Sequence, residues 1–546
     1  MASSRVAWGS RIGIILAVSG SAVGLGNFLR FPGNAAENGG GAFLIPYFIA
    51  FLLLGIPIGW AEWTMGRYGG RKGMHSAPAI IGLWGRGPVA RYLGSFGVLV
   101  PLVVYFYYVI VESWCLSYAW DYASGGLGIT ADEPVAQQVA ESGAYFSEST
   151  GSNVDGFFVP GGVHRAVIFW GIAFAINLWF LYRGLSRGIE AFCRWAMPAM
   201  GVCAVIVLVR VLTLGTPDPS LPEQNVAAGL NFMWNPDFGA LTDFRTWLAA
   251  TGQIFFSLSV VAVVIINYAS YLQRDDDVVL SSMTSSATNE FFEVVFGGMI
   301  TLTAAVVFLG IAATQANMGG TFSAGFVALP VVFAKMPLGN FFGTVWFFML
   351  FLAAITSSLS MLQPVKAFFE EALGISHKAA TLLLVAISIA GNLFVLWFSR
   401  GLVVLDTLDF WIGTFMIFVV AGTQIVCFAW VFGVDKGLAE AHRGADFRIP
   451  GIYRFIIKYV SPTYLLVIFF GFCWYNLPPY VASVLGDPAT GQPADRAVIY
   501  AWIVILATIA MLMTVTAIGT RRWRATGLDV DGRGPRASAT NERPGQ

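Results

Sequence analysis

Charge is the first thing this chain lacks. Only 11% of its 546 residues are Asp, Glu, Lys or Arg, while 57% are hydrophobic; soluble domains carry roughly 25% charged residues. With a mean hydropathy of +0.70, so much apolar surface has lipid as its solvent. An excess of either sign is also missing. The 31 basic and 31 acidic residues cancel, so the charge balance offers nothing to nucleic acid. Cysteine is scarce: Cys115, Cys193, Cys203, Cys427 and Cys473 lie in or beside apolar runs and make no C-x-x-C pair, which reads as packing and not as disulfide or metal. The four histidines, His75, His164, His377 and His442, fall in loops or at helix ends, which argues against haem, copper or zinc inside the membrane. There is no metal-binding pair and no GxxxxGK[ST] loop, so a metal-dependent enzyme and an ATP-driven machine both lack their parts.

What the chain has is apolar length. At about 20 residues per crossing, about twelve segments span, between residues 12 and 520. The expected class is an all-α integral membrane protein. The first helix starts near Arg11 without a small-residue cleavage site and reads as a retained span. Residues 321–335, "TFSAGFVALPVVFAK", are too short and too rich in Gly and Pro to cross, and read as a hairpin dipping into an outer vestibule. Arg67, Arg71, Lys72, Arg86 and Arg91 follow the second segment, and Arg183, Arg187 and Arg194 follow the fourth; the long loop after Trp120 holds Asp132, Glu133, Glu141, Glu148 and Asp155. Basic loops stay inside, so both termini are expected in the cytoplasm. The stretch 521–546 reads as a basic, disordered tail.

Two interruptions break the apolar pattern. In "GSAVGLGNFLRFP", residues 20–32, three glycines precede Asn27 and Arg30. Gly20 and Gly24 alone would read as a small-residue packing face, but Asn27 and Arg30 do not suit a lipid-facing seam. A membrane helix loses backbone hydrogen bonds only where protein or a wet cavity replaces them, and an intramembrane charge points to function. The second interruption is "GQIFFSLSVVAVV", with Gln253, Ser257 and Ser259 in an apolar run. Paired breaks in the first and sixth segments point to a midplane site, where unwound carbonyls face cations and a half-helix N-terminus near Leu25 faces an anion.

Together with "ENGGGAFLIPY", "GIPIGWAEWTMGRYGG", "YYVIVESW", "NYASY", "TSSLSMLQP" and "LDFWIGT", these stretches resemble the neurotransmitter:sodium symporters, most of all the bacterial amino-acid transporters of the leucine-transporter type. The resemblance spans roughly residues 5–520. It implies one transporter domain, 1–520, with an inverted five-helix repeat (helices 1–5, residues 12–213, and 6–10, residues 243–431), broken helices 1 and 6, and two extra helices in 453–520. It implies two sodium sites. The first takes the Ala22 carbonyl, Asn27, Ser257 and Asn289, completed by the substrate carboxylate; the second takes the carbonyls of Gly20, Val23 and Ala353 with the hydroxyls of Thr356 and Ser357. These neutral oxygens suit a monovalent ion, since calcium takes several carboxylates.

The substrate carboxylate is expected at the Leu25 and Gly26 amides and the Tyr108 hydroxyl. Its ammonium is expected at the carbonyls of Ala22, Phe256 and Ser257 and at Ser259. Val104, Tyr108, Phe256, Ala262, Ser357 and Met361 would line the side-chain pocket. Monoamine members carry Asp where this chain has Gly24, so the substrate should bring its own carboxylate. Ala262 stands where the leucine transporter's pattern has an aromatic, which favours a larger apolar or aromatic substrate. Valines stand where that pattern has glycines, which leaves the extent of the sixth-helix break open.

Arg30 and Asp409 match the outer gate pair, under Tyr108 and Phe256 as lid. Arg5 and Glu371 match the inner pair, supported by Trp8, Ser270 and Tyr271. Glu293, one turn beyond Asn289, stands where chloride-dependent members have serine; this implies chloride independence and allows proton counter-transport. Gly188 and Pro198 match a Gly-x9-Pro pattern that lets water reach the second sodium site. The resemblance therefore implies sodium-coupled symport of a neutral L-amino acid across the plasma (inner) membrane by alternating access, with a homodimer allowed. A channel, or a non-transporting amino-acid sensor on the same fold, is the alternative.

Overall fold

The computed structural model describes residues 8–160, 162–260, 262–486 and 493–532. Among them, nine helices are long and apolar enough to cross a membrane, or ten if one bent pair is a single span. In chain order the elements that position the site are α1 (Arg11–Ala22), α2 (Gly26–Glu37), α3 (Gly41–Arg71), α4 (Ala77–Trp84), α5 (Pro88–Ser124), α6 (Arg165–Gly184), α7 (Ala191–Leu212), α8 (Phe244–Ser257), α9 (Val264–Ala269), α10 (Val278–Leu309), α11 (Gly339–Leu373), α12 (His377–Trp397), α13 (Arg400–Ala441), α14 (Ile452–Tyr475) and α15 (Arg496–Ala525). The twelve expected segments all fall on helical chain. The lower number of uninterrupted spans has three local causes. The first segment is bent by 46° between α1 and α2. The sixth segment is divided between α8 and α9, each too short to cross alone. The fourth and fifth run on through a helical turn at residues 185–190, after Gly184 takes φ 80°.

Burial sorts the helices into a core and a lipid-facing shell. The apolar window of α5 is 94% buried and that of α11 83%, against 33% for α6–α7, α14 and α15. The contact between α5 and α11 is the largest in the fold, with α1 and α9 packed on α11. Glycine permits the closest approaches. A Cβ at Gly66 would stand 2.4 Å from the Ile266 carbonyl oxygen, and one at Gly391 would stand 2.3 Å from the Phe106 ring.

On the side of the acidic loop, residues 311–317 and 321–335 form two short helices. The expectation of a hairpin within 321–335 is corrected: that stretch is one short helix, and it is tied to the acidic loop by a hydrogen bond from the Ser142 hydroxyl to the Val327 carbonyl. The acidic loop itself holds the helix Val135–Thr150 and a small antiparallel hairpin pairing Phe158 with Val163. At the opposite face the chain stays ordered past 521. The helix α15 runs to Ala525, Val530 is buried, and Asp531 pairs with Arg91 and Arg524. The expectation of a disordered tail from 521 is corrected there, because a buried arginine and an apolar seat hold the segment; residues 533–546 lie outside the described residues.

Candidate functional site

The first break lies at residues 23–25. Helix α1 ends at Ala22, Val23 turns to ψ 93°, and α2 restarts at Gly26 with a bend of 46°. Gly24 sits where no side chain fits: a Cβ there would be 2.7 Å from Ser357 Oγ and 3.1 Å from the Tyr108 hydroxyl. Asn27 repairs part of the break, its Oδ1 accepting the Gly24 N–H at 2.9 Å. The second break covers residues 258–260 and 262–263 among the described residues. The valines do not prevent it: Ser259 has φ 50° and Val263 φ 51°, a region that β-branched residues rarely enter. Gly97 makes room for Val263, since a Cβ on it would be 2.4 Å from Val263 Cγ1. Ser259 then spans the two breaks by donating its hydroxyl to the Ser21 carbonyl at 2.8 Å.

Between the breaks lies a cavity of about 60 Å³. Its walls include Ala22, Gly24, Gly26, Val104, Tyr108, Phe256, Ser257, Ser259, Ala262, Ser357 and Met361. Every expected substrate contact is therefore on its wall except Leu25, which lines the next cavity out. Sequence reasoning missed Val100 and Pro101 of α5 and Gly413 and Ile417 of α13. The first pair could have been found one helical turn before Val104; no signal marked the second.

Three of the four residues expected at the first ion site, Asn27, Ser257 and Asn289, form one buried network, while Ala22 lines the cavity. Asn27 Nδ2 donates to Asn289 Oδ1 at 2.9 Å, and Asn289 Nδ2 donates to Ser257 Oγ at 2.6 Å. Glu293 closes the network: its carboxylate accepts from Gln253 at 2.6 Å, from Asn289 at 3.3 Å, from Asn27 at 3.4 Å and from the Ser257 hydroxyl. Of the second set, Thr356 Oγ1 donates to the Ala353 carbonyl at 2.9 Å, while Ser357 Oγ lies 3.1 Å from the carbonyls of Ala353 and Ser21. Gly20 packs on Thr356, 3.4 Å from where its Cβ would be. Val23 is the C-cap residue at which α1 ends.

Toward the acidic-loop side the cavities widen, first to about 400 Å³ and then to about 930 Å³. Tyr108 and Phe256 wall both the central cavity and the first outer one. The expected Arg30–Asp409 ion pair is not formed in this conformation. Arg30 stacks its guanidinium 4.4 Å above the Phe256 ring, and Asp409 accepts the Tyr107 hydroxyl at 2.6 Å. The two charges face across the open cavity, which is why each takes another partner.

The opposite side is shut. Trp8 donates its indole N–H to the Tyr268 carbonyl at 3.0 Å and meets that ring edge-on. Glu371 accepts from the backbone of His75 and Ser76 and from the Ser76 hydroxyl. The His75 ring stacks on Tyr271 at 4.6 Å, and its Nδ1 lies 2.9 Å from Ser270 Oγ. Burial pushes the His75 imidazole down to about 4. The expected supports Trp8, Ser270, Tyr271 and Glu371 are thus together, joined by His75, which sequence reasoning left as a loop residue. Arg5 lies outside the described residues.

The family model described as sodium:neurotransmitter symporter family matches residues 5–131 and 126–521. The chain belongs to the sodium:neurotransmitter symporter family. It is 29% identical to the uncharacterised sodium-dependent transporter MJ1319 of Methanocaldococcus jannaschii, over 85% of this chain and 90% of that protein. It is 26% identical to the sodium-dependent dopamine transporter of Bos taurus, over 90% of this chain and 72% of that one, and 25% identical to a sodium-dependent nutrient amino acid transporter of Drosophila yakuba, over 86% and 77%. Among solved structures, MhsT in complex with L-phenylalanine matches with TM-score 0.69 and 26% identity, covering 86% of this chain and 99% of MhsT. This symporter is accordingly a multi-pass, sodium-dependent membrane transporter and not an enzyme.

Proposed function

We propose that this symporter carries a neutral L-amino acid with an apolar, preferably aromatic, side chain into the cell together with sodium. The observation that carries this reading is Gly24. The space that a side chain there would need is taken by Ser357 Oγ and the Tyr108 hydroxyl, so the protein has no place for an acidic group of its own. The carboxylate must come with the substrate and meets the Leu25 and Gly26 amides and Tyr108. The ammonium meets the carbonyls of Ala22, Phe256 and Ser257 and the Ser259 hydroxyl. Two sodium ions are assigned to the two oxygen sets: Ala22, Asn27, Ser257 and Asn289 for the first, and Gly20, Val23, Ala353, Thr356 and Ser357 for the second. The apolar wall of Val100, Val104, Ala262, Met361 and Ile417 takes the side chain.

The Glu293 carboxylate accepts four donors within the protein, a place where an anion would otherwise be wanted. This supports chloride independence, with a proton on Glu293 as the neutralising charge of the empty return step. Alternating access follows from the gates: opening between Arg30 and Asp409, closure at Trp8, Tyr268 and Glu371. The orientation with both termini in the cytoplasm of an inner membrane rests on the basic loops. A screen of the twenty amino acids by thermal shift, with and without sodium, tests the reading. Stabilisation by large apolar amino acids only in sodium is expected; sodium-independent stabilisation, or none, would overturn it.

A further inference from the structure

One helical turn along α5 from Tyr108 a second buried cluster joins three helices, and no part of the transport reading uses it. Glu112 of α5, Asn177 of α6 and Ser358 of α11 are all shut off from solvent. Asn177 Nδ2 lies 2.7 Å from Glu112 Oε1, Glu112 Oε2 lies 2.7 Å from Ser358 Oγ, and Ser358 Oγ lies 2.7 Å from Asn177 Oδ1. Three groups thus close a ring with three short edges, and each edge needs a hydrogen between its heavy atoms. The amide supplies one, its other hydrogen being 3.1 Å from the Ala173 carbonyl. The serine hydroxyl has one hydrogen; the Ile355 carbonyl lies farther off, at 3.1 Å, so the hydrogen goes to one of the two 2.7 Å edges and supplies the second. The third has one remaining source, the carboxyl group.

Turning the Asn177 amide over does not change the count. The amide hydrogen would then serve Ser358, and an oxygen would face Glu112 Oε1 at 2.7 Å with nothing between them. An ionised Glu112 would leave two oxygens in bare contact in either arrangement. No Lys, Arg or protonated His is among the groups bonded to it, and an unpaired buried charge is costly.

We propose that Glu112 is held as the neutral acid, and that the closed ring makes it a positioning residue for the substrate site. Tyr108 lies one helical turn before Glu112 on the same face of α5, and Ser357 adjoins Ser358 on α11. The ring therefore sets the register of the two helices that bring Tyr108 and Ser357 over Gly24. This part rests on the proposed roles of Tyr108 and Ser357; the protonation state does not.

Glutamine is the neutral acid's nearest copy, since its amide N–H can replace the acid O–H toward Ser358. In purified full-length protein, Glu112→Gln is expected to keep its melting temperature and to keep sodium-dependent uptake within about 3-fold of wild type. Glu112→Ala is expected to lose about 10-fold or more, the loss corresponding to about 1.4 kcal/mol. The infrared difference, wild type minus Glu112→Gln, should show a protonated-carboxyl C=O band at neutral pH. Ser358→Ala should move that band to higher frequency. A carboxylate band in its place, a band unmoved by Ser358→Ala, or a Glu112→Gln variant as impaired or unfolded as Glu112→Ala would overturn the proposal. Absence of any sodium-dependent uptake by wild type, with the acid band present, would sink the transport reading and the positioning role but leave the neutral acid standing.

Discussion

Gly24 sets the chemistry of the site by what it leaves out. Any Cβ there runs into Ser357 Oγ and the Tyr108 hydroxyl, and neither can retreat freely, since both are buried among α5 and α11. Gly24→Ala is therefore expected to cut sodium-dependent amino-acid binding by about 10-fold or more, overpacking costing about 1–3 kcal/mol. Gly24→Asp should abolish amino-acid binding without producing monoamine binding, because the carboxylate has no room; equilibrium binding of both ligand classes checks this. Tyr108→Phe removes one donor and should weaken amino-acid binding by about 1–2 kcal/mol while leaving the melting temperature of the sodium-free protein unchanged. At Glu293 the expectation is a change of ion. Glu293→Ser takes away the carboxylate that satisfies Gln253 and Ser257, and uptake should become dependent on chloride; uptake equal in chloride and gluconate would count against the assignment.

Single positions were legible where their chemistry is odd for lipid. Asn27, Arg30, Gln253, Ser257 and Glu293 are polar groups in apolar runs, and all prove to gather around the two breaks. Val100 and Pro101 were reachable only through their helical spacing from Val104, and for Ile417 nothing in its apolar run separates a residue facing a cavity from one facing a neighbour. The positive φ of Val263 was equally hidden, because the room for it is made by a glycine on another helix, Gly97. The missing Arg30–Asp409 pair is a matter of conformation: sequence can name two charges but not the distance between them while the outer cavity is open.

At the scale of the element, the half-helix α1 carries one side of the inner closure. It is held at its N-terminal end by Trp8 on Tyr268 and, beside it, by the His75 segment on Glu371, Ser270 and Tyr271. Trp8→Ala should loosen α1, read as faster hydrogen exchange across residues 11–22 with exchange in α5 unchanged. His75 makes the same closure sensitive to acid. Burial holds its imidazole neutral, near 4 in the fold, against about 6.5 in a solvated chain. Between those values the solvated state binds the extra proton, so stability of the closed inner side falls as pH drops, by at most about 1.4 kcal/mol per pH unit, and is fully present above about pH 6.5. His75→Gln should flatten the melting temperature between pH 4 and 6.5 relative to wild type; an unchanged slope would remove His75 from the account. The breaks themselves were legible as elements. Their lengths were not, because the end of α8 is set by what Ser257 and Ser259 bond to across the cavity.

For the whole molecule, the large outer cavities, the small central one and the shut inner face describe a symporter open toward the acidic-loop side. Moving one charge through 100 mV yields about 2.3 kcal/mol, so each sodium that accompanies a net-neutral amino acid adds that driving force. In the proposed reading, coupling requires that ions and solute complete one another's coordination, with the carboxylate as the shared part. The direct test is a sodium titration of the purified protein with L-phenylalanine and with phenethylamine, which is the same molecule without the carboxylate. The account predicts that sodium tightens L-phenylalanine binding by about 10-fold or more, a coupling of about 1.4 kcal/mol or more, and that phenethylamine neither binds tightly nor responds to sodium. Equal affinity for L-phenylalanine with and without sodium, or sodium-enhanced binding of the amine, would contradict it.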